Sequence, residues 1–292
     1  MEELLELKIN KLESEANLIM VKYPYNKLFG IKYDGEILEA KVINEYLTEG
    51  EEGPIGVAEA GRHLAICGSI CLAKEYNFND SAYFLAIHAK LSRIDSKIEN
   101  SDFFSLKTKA IFKGKRNAKI HGEIFSDSNE LIFSVEIEYQ IIQQNIFQKL
   151  FNKNLNTTII QNNVSPYIKR KNLTNLIVSN KNAQGDYGKV LPHECEGHFE
   201  NYPALPVAIV GNLFINLGIK LFNKHNNNTF SKAIIIDTEI KALRLAFSGE
   251  EVRFSTNLKS IISEDEVIIT GEAKVEDEIV STIEFKIKGC NY

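Results

Sequence analysis

The chain has 292 residues, 44% of them apolar and 25% charged, with a formal net charge of −5 at pH 7. That length holds one large domain or two smaller ones, each able to bury a sizeable core. The acidic balance excludes a general nucleic-acid binder, whose affinity would come from basic patches on phosphates.

The chain opens MEELLELKINKLESE, acidic and amphipathic, with no basic stretch ahead of an apolar core. It reads as a short helix docking on the body and not as a signal peptide. A helix or strand continues to about Tyr46, followed by the polar, glycine-bearing loop Leu47 to Gly53. A central helix is predicted over Pro54 to Ala73, where Gly56, Gly61 and Gly68 allow close approach to a sheet. Alternation and turn signals then predict four strands, Ala82 to Ile94, Phe103 to Lys113, Ala118 to Ser126 and Leu131 to Ile142. The polar, weakly helical stretch Gln143 to Asn156 is the natural linker.

Beyond it come a strand near Leu173 to Ser179 and a glycine-bearing loop at Gln184 to Gly188. The stretch His193 to Phe222 organises the second half. Pro206 is tolerated just inside a helix start, which predicts a helix over Pro206 to Phe222 with apolar residues on nearly every side. Such a helix is buried all round or spans a membrane. Asn212, Asn216, Lys220 and the prolines Pro203 and Pro206 fit a span poorly, so a helix wrapped by a curved sheet is expected. After the polar loop His225 to Asn228, strands are predicted at Lys232 to Phe247, Val252 to Ile262, Glu266 to Val275 and Ile279 to Lys288.

The halves repeat each other. Lys90-Leu91-Ser92-Arg93-Ile94 recurs 151 residues later as Lys241-Ala242-Leu243-Arg244-Leu245, Phe104-Ser105 recurs after 150 as Phe254-Ser255, and Gly122-Glu123 after 149 as Gly271-Glu272. The period is too long for a solenoid unit and suits a whole α+β domain present twice, over residues 1–150 and 151–292. The four cysteines, Cys67, Cys71, Cys195 and Cys290, form no Cys-x-x-Cys pair, which with the N-terminus points to the cytoplasm.

His198, Phe199, Glu200, Asn201, Tyr202, Pro203, Ala204, Leu205 and Pro206 resemble the His-Phe-Pro-Gly-x-Pro-x-x-Pro-Gly signature of the hotdog β-hydroxyacyl-carrier-protein dehydratases. The resemblance implies a double hotdog: two curved antiparallel sheets, each wrapped around a central helix. It also implies a catalytic histidine, His198, and a Glu or Asp fourteen residues later, where this chain has Asn212. Glu200, Asn201 and Val207 are further departures from the signature. In the family's dimers the histidine and acid of one site come from different subunits, so in a fused pair His198 should face the first central helix. Glu59 falls on Asn212 at an offset of 153, and Glu45 lies fourteen residues before Glu59. This leaves one complete pair, His198 with Glu59, and one dead pair, Glu45 with Asn212.

In that reading His198 takes the α-proton of a 3-hydroxyacyl thioester, and Glu59, its pKa raised by burial, protonates the departing hydroxyl. A backbone N–H near Gly56 or Val207 polarises the carbonyl. Arg62, His63, Phe199, Pro206 and Asn212 complete the expected substrate contacts. The plainer reading of Glu59 is a helix-start carboxylate or a partner for Arg62.

His193 and His198 are five apart beside a glycine, which does not fit a zincin helix, and no metal is expected. The run Glu59-Ala60-Gly61-Arg62-His63 also resembles the Glu-Ala-x-Arg-Gln segment of the A-factor-type hotdog family, another tandem group. Lys169-Arg170-Lys171 is either a solvated loop or a docking patch for an acidic carrier protein.

The implied enzyme is thus a dehydratase without a bound cofactor, whose substrate brings a phosphopantetheine arm on acyl carrier protein or coenzyme A. The implied pathway is fatty-acid-like or polyketide-like synthesis. A monomeric pseudo-dimer and a homo-oligomer both stay open. Alternatives are a hotdog thioesterase, an enoyl-thioester hydratase, or a non-catalytic acyl-binding or partner subunit.

Overall fold

The computed structural model describes residues 18–46, 50–76, 81–94, 101, 103–157 and 165–291. The expected N-terminal docking helix falls outside them, as does part of the 47–53 loop. The first half comprises β1 (Phe29–Tyr33), β2 (Ile37–Val42), α1 (Val57–Tyr76), β3 (Ala82–Arg93), β4 (Phe104–Lys113), β5 (Asn117–Phe125) and β6 (Leu131–Gln143). A short helix, α2 (Gln144–Leu150), leads to the second half. There follow β7 (Thr174–Val178), β8 (Asn182–Lys189), α3 (Val207–His225), β9 (Lys232–Ala242), β10 (Glu251–Ile261), β11 (Glu266–Val275) and β12 (Glu278–Cys290).

All twelve strands form one antiparallel sheet in the order β1-β2-β4-β5-β6-β3-β9-β12-β11-β10-β8-β7. The second six repeat the first six in reverse, so the chain is an α+β double hotdog with its pseudo-twofold axis between β3 and β9. There Ala89 pairs with Ile240 and Lys90 with Glu239. The outer edges, β1 and β7, are five residues each and irregular in register, which limits further strand addition.

Period-2 patterning puts one face of each strand on a helix. In β11 the buried residues Val267, Ile269, Gly271, Ala273 and Val275 alternate strictly with half-buried ones. α1 and α3 are buried on most sides, as their composition requires. By length and composition α3 could cross a membrane, but here it lies mostly buried inside the protein. Gly68 faces Tyr139 and Ile120, and Gly218 faces Phe285, where a Cβ would stand 2.7 Å from the Tyr139 hydroxyl and 2.2 Å from the Phe285 ring. These two positions set how closely each helix sits in its sheet.

Three expectations are corrected. Gln184 to Gly188 is the body of β8 and not a loop: Ala183, Gly185 and Tyr187 turn inward, and Gly185 lets the backbone pass within 2.8 Å of Leu176 for a notional Cβ. The strand expected to reach Phe247 stops at Ala242, because the chain turns there to bring Ala246 and Phe247 into the core. The helices correspond at 150 residues and not 153: both begin at valines 150 apart, and Gly61 and Gly68 are matched by Gly211 and Gly218 on equivalent strands. Arg62, not Glu59, therefore occupies the position of Asn212.

Candidate functional site

Between the two halves lies a cavity of about 550 Å³, within the range of small-molecule and acyl sites. Its walls come from both copies: Ala65, Ile66 and Ser69 of α1, Phe84 to Ile87 of β3, Val207 and Val210 of α3, and the 242–247 turn. A crevice of about 50 Å³ continues between α1 and α3 past Ala58, Gly61, Ala208 and Gly211. Tyr25, Ala65, Ala86, Val207 and Ala242 border both spaces. The lining is mostly apolar. Arg244 lies on the wall, held by Glu278 at 2.7 Å and Glu250 at 2.9 Å.

His198 lines the main cavity and is itself buried. The segment before it is fixed by Gly197, at φ +80° and so close to the Lys22 carbonyl that a Cβ would stand 2.5 Å away. The Lys22 amide donates to the Gly197 carbonyl at 3.0 Å, which ties the first half's leading segment to the histidine loop. His198 Nδ1 lies 3.0 Å from the Ala204 carbonyl oxygen. A carbonyl can only accept, so Nδ1 carries the proton and Nε2 is the basic nitrogen. Burial lowers the imidazole pKa to about 4, which keeps the ring neutral at ordinary pH. Phe199 stacks on the ring at 4.1 Å between centroids and Tyr25 meets it edge-on at 4.8 Å.

Glu59 is placed differently. On α1, Ala58, Gly61, Arg62, Ala65 and Ser69 recur at three- and four-residue spacing along the face lining the two spaces. Glu59 and His63 sit on the adjoining face and line neither space. The Glu59 carboxylate lies 2.9 Å from Arg62 Nη2 and 3.2 Å from His63 Nε2, and it accepts from Arg170. Among the described residues no hydrogen bond or ion pair joins Glu59 to His198.

Arg62 in turn donates to Glu45, whose other oxygen is 2.9 Å from Lys27. The result is a buried ladder in which carboxylates and guanidiniums alternate. Burial alone would push the Glu59 carboxyl up, but Arg62, His63 and Arg170 outweigh it and hold the group far below the usual carboxylate range. The expectation of a raised Glu59 pKa is therefore overturned, and the plainer reading, a partner for Arg62, describes its contacts. His63 is pushed the opposite way from a charged partner: burial, then Arg62, lowers its pKa.

The other expected contacts divide. Phe199 and Val207 line the cavity and Arg62 the crevice. Gly56 accepts from the Ala60 amide at 2.9 Å, Pro206 caps the start of α3, and Asn212 accepts from Asn216 at 3.4 Å; none of the three lines these spaces. Asn212 holds the position that Arg62 holds on α1, but its shorter side chain pairs with Asn216 and lines neither space. The two helix starts also differ. The Val57 amide donates to the Glu51 carboxylate at 2.8 Å, whereas no side chain among the described residues caps α3 at Val207. An open helix start thus borders the cavity only from the second copy.

The basic run is not a surface patch as a whole. Arg170 is buried against Glu59 with its guanidinium 4.0 Å from the Tyr46 ring centroid, and Lys171 binds Glu194 at 3.3 Å. Sequence reasoning missed Tyr25 and Tyr167. Both lie in irregular segments with no periodic signal, and their roles come from long-range packing against Arg62 at 5.7 and 5.2 Å.

No protein-family model matches the chain, and no curated protein is significantly similar in sequence. Solved structures do match. A candidate oleoyl thioesterase from Lactobacillus plantarum aligns with a TM-score of 0.59 at 8% identity, over 89% of this chain and 98% of that one. The 12:0-ACP thioesterase from Umbellularia californica aligns with a TM-score of 0.54 at 8% identity, over 87% and 94%. A hot dog fold protein of unknown function from Alicyclobacillus acidocaldarius aligns with a TM-score of 0.51 at 10% identity, over 93% and 100%. At these identities the likeness establishes one thing, the hotdog fold across nearly the whole chain.

Proposed function

We propose that this chain acts on acyl thioesters and removes water from a 3-hydroxyacyl thioester to give the 2-enoyl product, with His198 Nε2 as the base. The reading rests on one observation: a neutral, buried imidazole, oriented by the Ala204 carbonyl, on the wall of an apolar cavity between two hotdogs. The cavity takes the acyl chain, and the α3 start at Val207 supplies amide donors to the thioester carbonyl, where negative charge builds as the α-proton leaves. Glu59 serves by fixing Arg62 and not as the proton donor. Acyl carrier protein and coenzyme A both present the required thioester on a phosphopantetheine arm.

Thioester hydrolysis is the second reading. It is favoured by the absence of a protonatable Glu59 at the cavity and by the likeness to proteins named as thioesterases. His198 would then activate water against the carbonyl. Incubation with a 3-hydroxyoctanoyl-coenzyme A thioester separates the two. Dehydration gives enoyl absorbance without free thiol, and hydrolysis gives free thiol without enoyl absorbance. Activity of either kind is expected to vanish in His198→Ala.

A further inference from the structure

Among the buried tyrosines near the site, the hydroxyls of Tyr139, Tyr167 and Tyr25 fare differently. Tyr139 donates to the Ala65 carbonyl at 2.8 Å and Tyr167 to the Glu196 carbonyl at 2.7 Å. Tyr25, only 4% exposed overall, makes no such hydrogen bond to a carbonyl among the described residues, and its hydroxyl is not one of the sealed-off polar atoms of the core. A phenol on a cavity wall that is not tied to a protein carbonyl can donate to what the cavity holds.

Its position is specific. Tyr25 borders both the main cavity and the crevice, and its ring touches that of His198. The Arg62 guanidinium lies 5.7 Å over the same ring and, among the described residues, keeps Nε and Nη1 without hydrogen-bond partners although the residue is fully buried. Although Glu59 and Glu45 pair its charge, these free N–H groups and the guanidinium near the ring favour negative charge on a nearby oxygen. Burial pushes the phenol's pKa up, so it is protonated in the resting site.

We propose that Tyr25 is the catalytic proton donor of the reaction assigned above to His198, replacing the carboxylic acid that Glu59 does not provide. His198 Nε2 takes the proton from C2, and the C–H electron pair becomes the C2–C3 double bond. The C3–O bond breaks, and the departing oxygen takes its second proton from the Tyr25 hydroxyl and leaves as water. Arg62 steadies the tyrosinate so formed. The imidazolium then returns its proton to that oxygen, directly or through the released water, and both groups are restored. Glu59 and Glu45 act only through Arg62.

This inference rests on the dehydratase reading, and the test keeps the two apart. Each variant is given 3-hydroxyoctanoyl-coenzyme A for water loss, and octanoyl-coenzyme A in D2O for exchange of the C2 hydrogens, which needs the base alone. His198→Ala is expected to lose both activities. Tyr25→Phe keeps the ring and its packing. It is expected to retain C2 exchange within about threefold while water loss falls on the order of 100-fold, the usual weight of a general acid. Full dehydration by Tyr25→Phe overturns the role of Tyr25 and leaves that of His198 standing. Equal loss of both activities in Tyr25→Phe reduces the tyrosine to packing and also overturns the proposal. A wild-type protein that loses no water from the hydroxy substrate overturns both readings.

Discussion

At the scale of single residues, the outcome turns on which groups are charged. His198 titrates at about 4 against an ordinary 6.5, so as pH falls the unfolded chain binds this proton before the folded one does. Its contribution to stability is complete above about pH 6.5 and declines toward pH 4, by roughly 3 kcal/mol in total. Urea midpoints of wild type and His198→Asn, compared across that window, should converge at the acid end. The same shift predicts that the acid limb of kcat/KM falls near pH 4 rather than near 6.5. A limb at 6.5 would mean that the ring is solvated. Glu59→Gln should cost about 3–5 kcal/mol, because it strips a carboxylate from between two buried guanidiniums. Thermal melting reads that loss, and any fall in activity should track it. A stable but inactive Glu59→Gln protein would return Glu59 to the chemistry.

At the scale of elements, α1 and α3 are positioned by a few glycines and differ in how their starts are used. Gly218→Ala and Gly68→Ala should each destabilise by about 1–3 kcal/mol through overpacking, with Gly218 the worse because a Cβ meets the Phe285 ring at 2.2 Å. Gly61→Ala should be tolerated or mildly stabilising, since its nearest neighbour, Leu91 Cδ2, stands at 3.5 Å and alanine is the better helix former. Denaturant midpoints of the three variants test the ranking.

The α3 start permits a sharper substitution. Val207 is the first helical residue and Pro206 before it has φ −62° and ψ 139°, so Val207→Pro fits the backbone while deleting one amide donor. The fold should survive and kcat should fall about 10²–10³-fold if that amide polarises the thioester carbonyl. An unchanged kcat would assign the carbonyl to other donors.

Much at this scale was legible: the strands from β3 to β6, β10 to β12 and both central helices follow from period and punctuation. Glycine hid β8, since a strand packed tightly under its neighbour resembles a loop in composition. The identity of the groups facing the cavity was less legible, because a three-residue error in matching the helices moves a side chain to another turn, from Arg62 to Glu59.

At the scale of the whole molecule, the site exists only because the halves are joined. The β3–β9 ladder makes one continuous sheet. Tyr25 meets His198, and Glu59 meets Arg170, across the two copies. Unfolding in urea should therefore be a single transition, with tyrosine fluorescence and far-ultraviolet dichroism coincident. Two separated transitions would mean that each hotdog stands alone and that the cavity is a loose seam. The repeat in the sequence announced this architecture, and the His-Phe pair marked where the cavity would lie. Of the ladder from Lys27 to Arg170 only the Glu59–Arg62 pair, three residues apart on α1, left a trace, because its other members come from three distant points along the chain. The central claim, that a neutral His198 in the inter-copy cavity abstracts the α-proton of an acyl thioester, is tested most directly by C2 hydrogen–deuterium exchange on octanoyl-coenzyme A in D2O. The account predicts exchange catalysed by the wild-type protein and lost in His198→Ala; no exchange by a folded wild-type protein, or exchange undiminished in His198→Ala, would contradict it.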